Sequence, residues 1–239
     1  MFKTFFNWST GKDSAIALYY LQNNNELSVD HLLTTMNSYH NRVSMHGLRR
    51  ELLIKQIESI GLPYSTVELP EQPSMNQHNK LMRKEVNELK KQGFTDCGFG
   101  DIFLEDLRHY REQQLKDIKC HFPLWQKNTK ALYLEFLNLG FKAIVICVNG
   151  ELLNPSFVGR ELDYKFLQEL PNNVDPCGEN GEFHTFCYDG PIFSHPIEFE
   201  LGEKVLRQYN KPNGEINDKI DYWFLDLKDK TAHNNGHKC

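Results

Sequence analysis

The chain has 239 residues, 40% of them hydrophobic and 25% charged, with a formal net charge of −5. That length buries a sizeable core in one domain or a domain and a half, and the composition is that of an ordinary globular chain. No apolar run approaches the roughly 20 residues of a membrane span, no signal-like succession opens the chain, and scattered Lys and Arg argue against a long nucleic-acid surface.

A cytoplasmic chain with no membrane partner is therefore expected. The six cysteines (Cys97, Cys120, Cys147, Cys177, Cys187 and Cys239) never form a C-x-x-C. At such spacing they read as reduced, mostly buried thiols and not as a disulfide frame or zinc site.

The first element is an apolar run, Thr4 to Trp8, followed by Ser9-Thr10-Gly11-Lys12-Asp13-Ser14 and an Ala- and Leu-rich segment to about Asn23. This reads as a strand, a tight turn and a helix. Free N–H groups at a helix start attract anions, Lys12 adds a positive charge, and Gly11 permits close backbone approach, so the turn is a candidate phosphate cradle. It matches neither the Walker loop nor the dinucleotide fingerprint. The plain alternative is a capped helix with Ser9 or Thr10 as N-cap.

Further along, His31 to Met36 reads as a buried strand, and Asn37 to Met45 as a polar loop. A helix follows with apolar positions at Leu48, Leu52, Leu53, Ile57 and Ile60, stopped by Gly61. Tyr64 to Leu69 is a third strand, Asn76 to Lys91 a charged helix closed by Gly93, Asp96 to Ile102 a fourth strand, and Leu104 to Asp117 a helix. Phe122 to Trp125 reads as extended and Asn128 to Leu139 as helical. Ala143 to Val148 has the unbroken hydrophobicity of a strand covered on both faces.

Alternating strands and helices up to about residue 148 predict an α/β fold with a parallel sheet. Its ligand would lie beyond the strand carboxyl ends, on the loops 9–14, 36–46, 99–106 and 149–160. Past residue 150 loops dominate, with a short helix near Glu161 to Leu170 and two tail strands, Ile197 to Tyr209 and Ile220 to Leu227, joined by a turn at Asn210 to Gly214. The expected division is 1–150 as a nucleotide-binding domain and 151–239 as a smaller substrate-binding portion ending in a β-hairpin and a polar, frayed tail.

Three more clusters can carry chemistry. Asp175-Pro176-Cys177-Gly178-Glu179-Asn180-Gly181-Glu182-Phe183-His184-Thr185 packs glycines, carboxylates and a histidine into a short loop; Glu179, Glu182 and His184 can act as general bases or orient an amine, or the stretch is a solvated polar turn. Gly100, Asp101 and Glu105 end the fourth strand, where the acids can face a ligand or its Mg²⁺, or merely favour the next helix start. Arg42, Arg49 and Arg50 can meet phosphates or form a solvated face, and His46 can be a helix-start residue with no chemistry.

Taken together, these segments resemble a known family. Ser9 to Ser14 is similar to the pyrophosphate loop, S-G-G-K-D-S, of the N-type ATP pyrophosphatases. Gly178 to Thr185 resembles the G-E-G-G-E-Y/F-E-T segment of their diphthine–ammonia ligase group, in the expected order and spacing, and the likeness covers about residues 1–193. The resemblance implies an adenine nucleotide alpha hydrolase-like, Rossmann-like α/β sandwich with a smaller substrate-binding portion.

It also implies a reaction: ATP adenylates a substrate carboxylate, small or protein-borne, releasing pyrophosphate, and ammonia then displaces AMP. By this likeness Ser9, Thr10, Gly11, Lys12, Asp13 and Ser14 hold the phosphates with Mg²⁺. Thr35 and Met36 cover the adenine, Arg42, Met45, Gly100 and Asp101 contact the nucleotide, and Glu179 to Thr185 face the acceptor. Lys12, Asp13, Glu179, Glu182 and His184 are the catalytic candidates, with no dedicated metal ligand set; a homodimer is compatible with the family. The likeness is to the core enzyme, without the further C-terminal domain of larger members.

Thr10 stands where the family loop has a glycine, tolerable if its backbone is not left-handed. Asn180 and His184 replace a glycine and a glutamate, which alters charge and shape on the acceptor side. Two other classes share the loop: a nucleotide-binding module without turnover, and a tRNA-modifying ATP pyrophosphatase. The latter is disfavoured by the missing cysteine pair and basic surface.

Overall fold

A computed structural model of the chain describes residues 1–210 and 218–230. The first strand, β1 (Phe2–Asn7), leads through the turn into α1 (Lys12–Gln22), and β2 (Leu27–Asn37) lies parallel beside β1. After a two-residue strand β3 (Arg42–Val43) come α2 (Arg50–Ile60), β4 (Tyr64–Leu69), α3 (Met75–Lys91), β5 (Asp96–Gly98), α4 (Glu105–Gln114) and β6 (Lys119–His121). Strands β4, β2, β1, β5 and β6 run parallel in that spatial order, and β3 adds an antiparallel pairing at the end of β2.

Local chemistry accounts for the helix ends. Ser74 and Gln77 close a capping box at the start of α3, and Gly61 ends α2 with a left-handed φ of 77°. Side chains on a strand alternate between faces, so Phe5 and Phe6, both wholly buried, enter different clusters. Phe6 joins α1 and α2, whereas Phe5 joins Val86 and Leu89 of α3.

The second layer is antiparallel. It contains β7 (Lys142–Asn149), β8 (Phe183–Asp189), β9 (Phe199–Asn210) and β10 (Lys219–Asp229), in the order β8-β7-β10-β9. Two helices, α5 (Thr129–Asn138) and α6 (Tyr164–Glu169), flank β7 in the chain. The α1/α2 face of the parallel sheet and this second sheet share one core, so α1 is covered from both sides: Ser14, Ala15, Ile16, Ala17, Leu18 and Leu21 are all buried.

Several expectations need correction. Ala143 to Val148 is buried as predicted but belongs to the antiparallel sheet, because continuous hydrophobicity reports two covered faces and not strand direction. The loop 149–160 therefore leaves that sheet and not the carboxyl edge of the parallel one. The fourth strand stops at Gly98, and Phe122 to Trp125 is extended only at its start before a turn, while Lys119–His121 supplies the edge strand β6. Phe183–Asp189 is a strand, so His184 and Thr185 sit on β8 and not in a loop. The turn from residue 211 to Gly214 and the tail with Cys239 lie outside the described residues.

Long-range ion pairs tie the layers together. Asp226 on β10 accepts from Arg42 at 2.8 Å and from Arg49 at 2.9 and 2.7 Å. These bonds offset the burial of the Asp226 carboxylate and hold its pKa below the usual range. Replacing Asp226 by Ala leaves two arginines facing an apolar strand, and the half-exposed setting puts the expected loss at about 1–3 kcal/mol. Urea unfolding with an unchanged m-value checks this.

Candidate functional site

The site is built where β1 ends. Helix α1 has Gly11 as its N-cap with no side-chain cap, so neither Ser9 nor Thr10 plays that part. Instead Ser9 and Ser14 join each other: Ser9 N–H donates to Ser14 Oγ at 3.1 Å and the two hydroxyls lie 2.6 Å apart. Thr10 adopts a left-handed φ of 77°, contrary to the condition set for replacing the family glycine. A β-branched residue held there stores about 1–3 kcal/mol of strain, which the surroundings must over-determine.

Those surroundings are visible. The Thr10 carbonyl accepts from Cys187 N–H at 2.9 Å and from Gln56 Nε2 at 3.0 Å, and Gln56 in turn accepts from Trp8 Nε1 at 3.1 Å. Gln56, fully buried, thus clamps the turn to β8. Its sequence signal is a polar residue inside the apolar stripe of α2, between Leu53 and Ile57.

Lys12 is turned inward and does not face solvent. Its side chain is 4% exposed, and its ammonium binds both oxygens of Asp13, at 2.8 and 2.7 Å, and the carbonyl of Cys177. Burial alone would depress its pKa, but Asp13, assisted by Glu179, keeps Lys12 protonated and shifts the pKa upward. The Lys12 N–H, one of the open donors of the first helical turn, goes to Thr185 Oγ1 at 3.0 Å. Turn and acceptor segment, 165 residues apart at Lys12 and Cys177, meet at this one residue, through its backbone and its side chain.

A Cβ on Gly11 would stand 2.8 Å from His46 Cε1 and 3.2 Å from the Thr185 carbonyl, which is why the position needs glycine. His46 stacks on His184 with ring centroids 4.9 Å apart, and its Nδ1 lies 3.2 Å from the Thr185 carbonyl. Burial, then the neighbouring ring and Lys12, push His46 down to about 3; burial and Lys12 push His184 down to about 4. Both rings are therefore neutral around pH 7. His46 is a wall of the site and not a bystander at a helix start.

The carboxylates divide by role. Glu182, 1% exposed, accepts from Asp175 N–H, Asn180 N–H and Asn180 Nδ2 at 2.9–3.0 Å, so its oxygens organise their own loop. Glu179 Oε1 accepts from Ile102 N–H at 2.7 Å, joining this loop to the connection between β5 and α4, and burial together with Asp13 raises its pKa to about 7. A carboxyl titrating there is matched to proton transfer near neutral pH.

Gly100 abuts the first turn of α1, a Cβ there being 3.0 Å from the Asp13 carbonyl carbon. Asp101 is held by Arg111, Nη2 to Oδ1 at 3.1 Å, and Glu105 opens α4.

Other candidates fall away from the turn. Arg42 and Arg49 bind Asp226 and Arg50 pairs with Glu68 at 2.7 Å, so each of these cations has a counter-charge within the protein. Met36 is wholly buried and strand-paired to Val43 and Glu68, and the Thr35 carbonyl accepts from Ser44 N–H. Met45, with a left-handed φ of 65°, is 78% exposed. Among the described residues no three His, Cys, Asp or Glu side chains converge as a metal cage, and no helix is long and apolar enough to cross a membrane.

The raised pKa of Glu179 has a sign. Between the ordinary carboxylate value and about 7 the folded protein binds a proton that the unfolded chain has lost, so stability falls as pH rises through that window. Glu179→Gln keeps an acceptor for Ile102 N–H and removes the titration. Relative to it, the wild type is expected to lose about 2 kcal/mol between pH 5 and 8, read by chemical unfolding at each pH.

Known sequences show what this arrangement is similar to. The family model described as diphthamide synthase N-terminal domain matches residues 2–118, and that described as diphthamide synthase C-terminal domain matches residues 128–219. Diphthine–ammonia ligase of Bos taurus is 37% identical over 87 residues, 34% of this chain and 33% of the relative. That of Homo sapiens is 35% identical over 88 residues, 35% of this chain and 33% of the relative. The Schizosaccharomyces pombe protein of that name is 28% identical over 120 residues, 46% of this chain and 20% of the relative. The chain thus covers a third or less of the length of these relatives.

Proposed function

From the premise that the chain belongs to the diphthamide synthase family, whose two domain models match it, we propose that it is an ATP-dependent ligase that amidates a carboxylate. The observation that carries this is the junction at Lys12, which makes the β1–α1 turn and the segment 175–185 a single site. The turn suits phosphate. The buried Thr10 hydroxyl has no hydrogen-bond partner, and the Ser9 and Ser14 hydroxyls, 2.6 Å apart, stand in the same turn.

In this reading a carboxylate oxygen attacks the α-phosphorus of ATP and pyrophosphate leaves; ammonia attacks the acyl carbon and AMP leaves with the bonding electrons. The turn from Ser9 to Ser14 supplies hydroxyl and N–H donors to the departing pyrophosphate, and Lys12, released from Asp13, neutralises its charge. Asp13, so freed, is the carboxylate nearest to hand for a Mg²⁺, which supplies charge compensation on the phosphates and asks few protein ligands. Glu179 takes the proton that ammonia sheds on acylation. His184 and His46, both neutral, line the acceptor side. The identity of the carboxylate is left to the acceptor pocket, where Asn180 and His184 depart from the family segment.

With ATP, Mg²⁺, ammonia and a panel of carboxylic acids, the expected products by ³¹P NMR are AMP and pyrophosphate, formed only when an acceptor is present. ADP and phosphate would contradict the mechanism. Lys12→Met with Asp13→Asn keeps the junction neutral, and should lower turnover by at least about a hundredfold with the circular dichroism spectrum unchanged.

A further inference from the structure

Three donors in the β1–α1 turn are left without protein partners, and one distant side chain keeps them so. Thr10 and Gly11 are both buried, yet neither backbone N–H makes a hydrogen bond among the described residues. The Thr10 hydroxyl is buried and unpartnered as well. Folded chains pair the great majority of such groups, so three orphans in adjacent residues mark a place shaped for an outside acceptor.

Gln56 on α2 fixes that arrangement. The Trp8 indole can only donate, so the Gln56 oxygen faces it, at 3.1 Å. The amide nitrogen then faces the carbonyls of Thr10 and Cys187, which can only accept. A peptide unit is planar and trans, so the Thr10 carbonyl and the Gly11 N–H point in opposite directions. Gln56 Nε2 at 3.0 Å and Cys187 N–H at 2.9 Å pin the carbonyl toward β8, and the Gly11 N–H is thereby turned away from it. Thr10 does not hold this position by preference. Its φ of 77° lies where a β-branched residue is strained, and a return to negative φ would re-aim both the carbonyl and the N–H beyond it.

We propose that Gln56 is a positioning residue for phosphate binding. Its amide holds the Thr10 carbonyl, keeps the Thr10 backbone left-handed, and so leaves the Gly11 N–H and the Thr10 hydroxyl as donors to the pyrophosphate portion of a nucleotide. Gln56 touches no ligand itself and acts through Thr10. This role rests on the turn being a phosphate site and does not depend on which carboxylate is amidated. It also carries a condition: the need for Gln56 comes from the side chain at Thr10. A glycine there takes the left-handed backbone without strain and should make Gln56 largely dispensable.

Calorimetric titration of the full chain with inorganic pyrophosphate and Mg²⁺ tests this. Gln56→Met keeps the length of the side chain and removes both donors, and should weaken binding about tenfold or more. In a Thr10→Gly background the same substitution should cost less than about threefold, so the two positions are coupled. Ser59→Ala removes a different buried hydrogen bond of α2, to the His195 carbonyl at 2.6 Å, and should bind as the wild type does. That control separates positioning from a general loss of stability. Should Gln56→Met fail to fold, Gln56→Glu carries the same comparison, since it keeps the acceptor for Trp8 and turns an oxygen toward the Thr10 carbonyl. Unchanged affinity in the Gln56 variant, or an equal loss in both backgrounds, would overturn the role of Gln56 and leave the phosphate site standing. No binding by the wild type would overturn the phosphate site and this role with it.

Discussion

A buried ammonium is the constraint on which the rest of this molecule depends. An ammonium removed from water costs several kcal/mol unless it is fully paired. Lys12 is paired on every side: Asp13 from its own helix, the Cys177 carbonyl from a loop far along the chain, and the Phe183 ring 5.5 Å away. Meeting that demand brings the second sheet down onto the start of α1. It also explains why α1 has no solvent stripe, being short, rich in small and apolar residues, and buried on both sides. The same approach forces the bare backbone at Gly11 and holds Thr10 in a left-handed conformation between Cys187 and Gln56.

This junction separates the carboxylates that act on the fold from those that can act on a ligand. Glu182 and Asp175 spend their oxygens on N–H groups of residues 175–180, making a rigid loop whose carbonyl at Cys177 is aimed at Lys12. Glu179 is different. It accepts from Ile102 N–H in the connection after β5, sits near Asp13 and Asp101, and is kept from ionising readily by burial and by them. Two acids three residues apart in one motif thus have unlike environments, and the environment, not the motif, assigns the work.

How much of this was legible beforehand depended on the range of the interaction. The strand–turn–helix at the start, the helix ended by Gly61, the strand Tyr64–Leu69 and the tail strands follow from local pattern and were readable as such. The sheet to which β7 belongs was not, because period and hydrophobicity report burial and say nothing of partner or direction. For Arg42 and Arg49 the sequence leaves phosphate contact and a solvated face both open and hides their bond to Asp226, which lies more than 170 residues away. Thr10 carried no warning of its left-handed backbone beyond standing where relatives have glycine. His46 became a wall of the site only through His184 on β8, a strand hidden by its glycine-rich approach.

The central claim is that the turn 9–14 and the segment 175–185 form one nucleotide-responsive unit joined at Lys12. Hydrogen–deuterium exchange with and without the non-cleavable α,β-methylene analogue of ATP, in the presence of Mg²⁺, tests it most directly. The analogue is expected to change exchange in both stretches together, with the Lys12→Met/Asp13→Asn variant losing the response in both. A change confined to residues 9–14, with 175–185 unaffected, would contradict it.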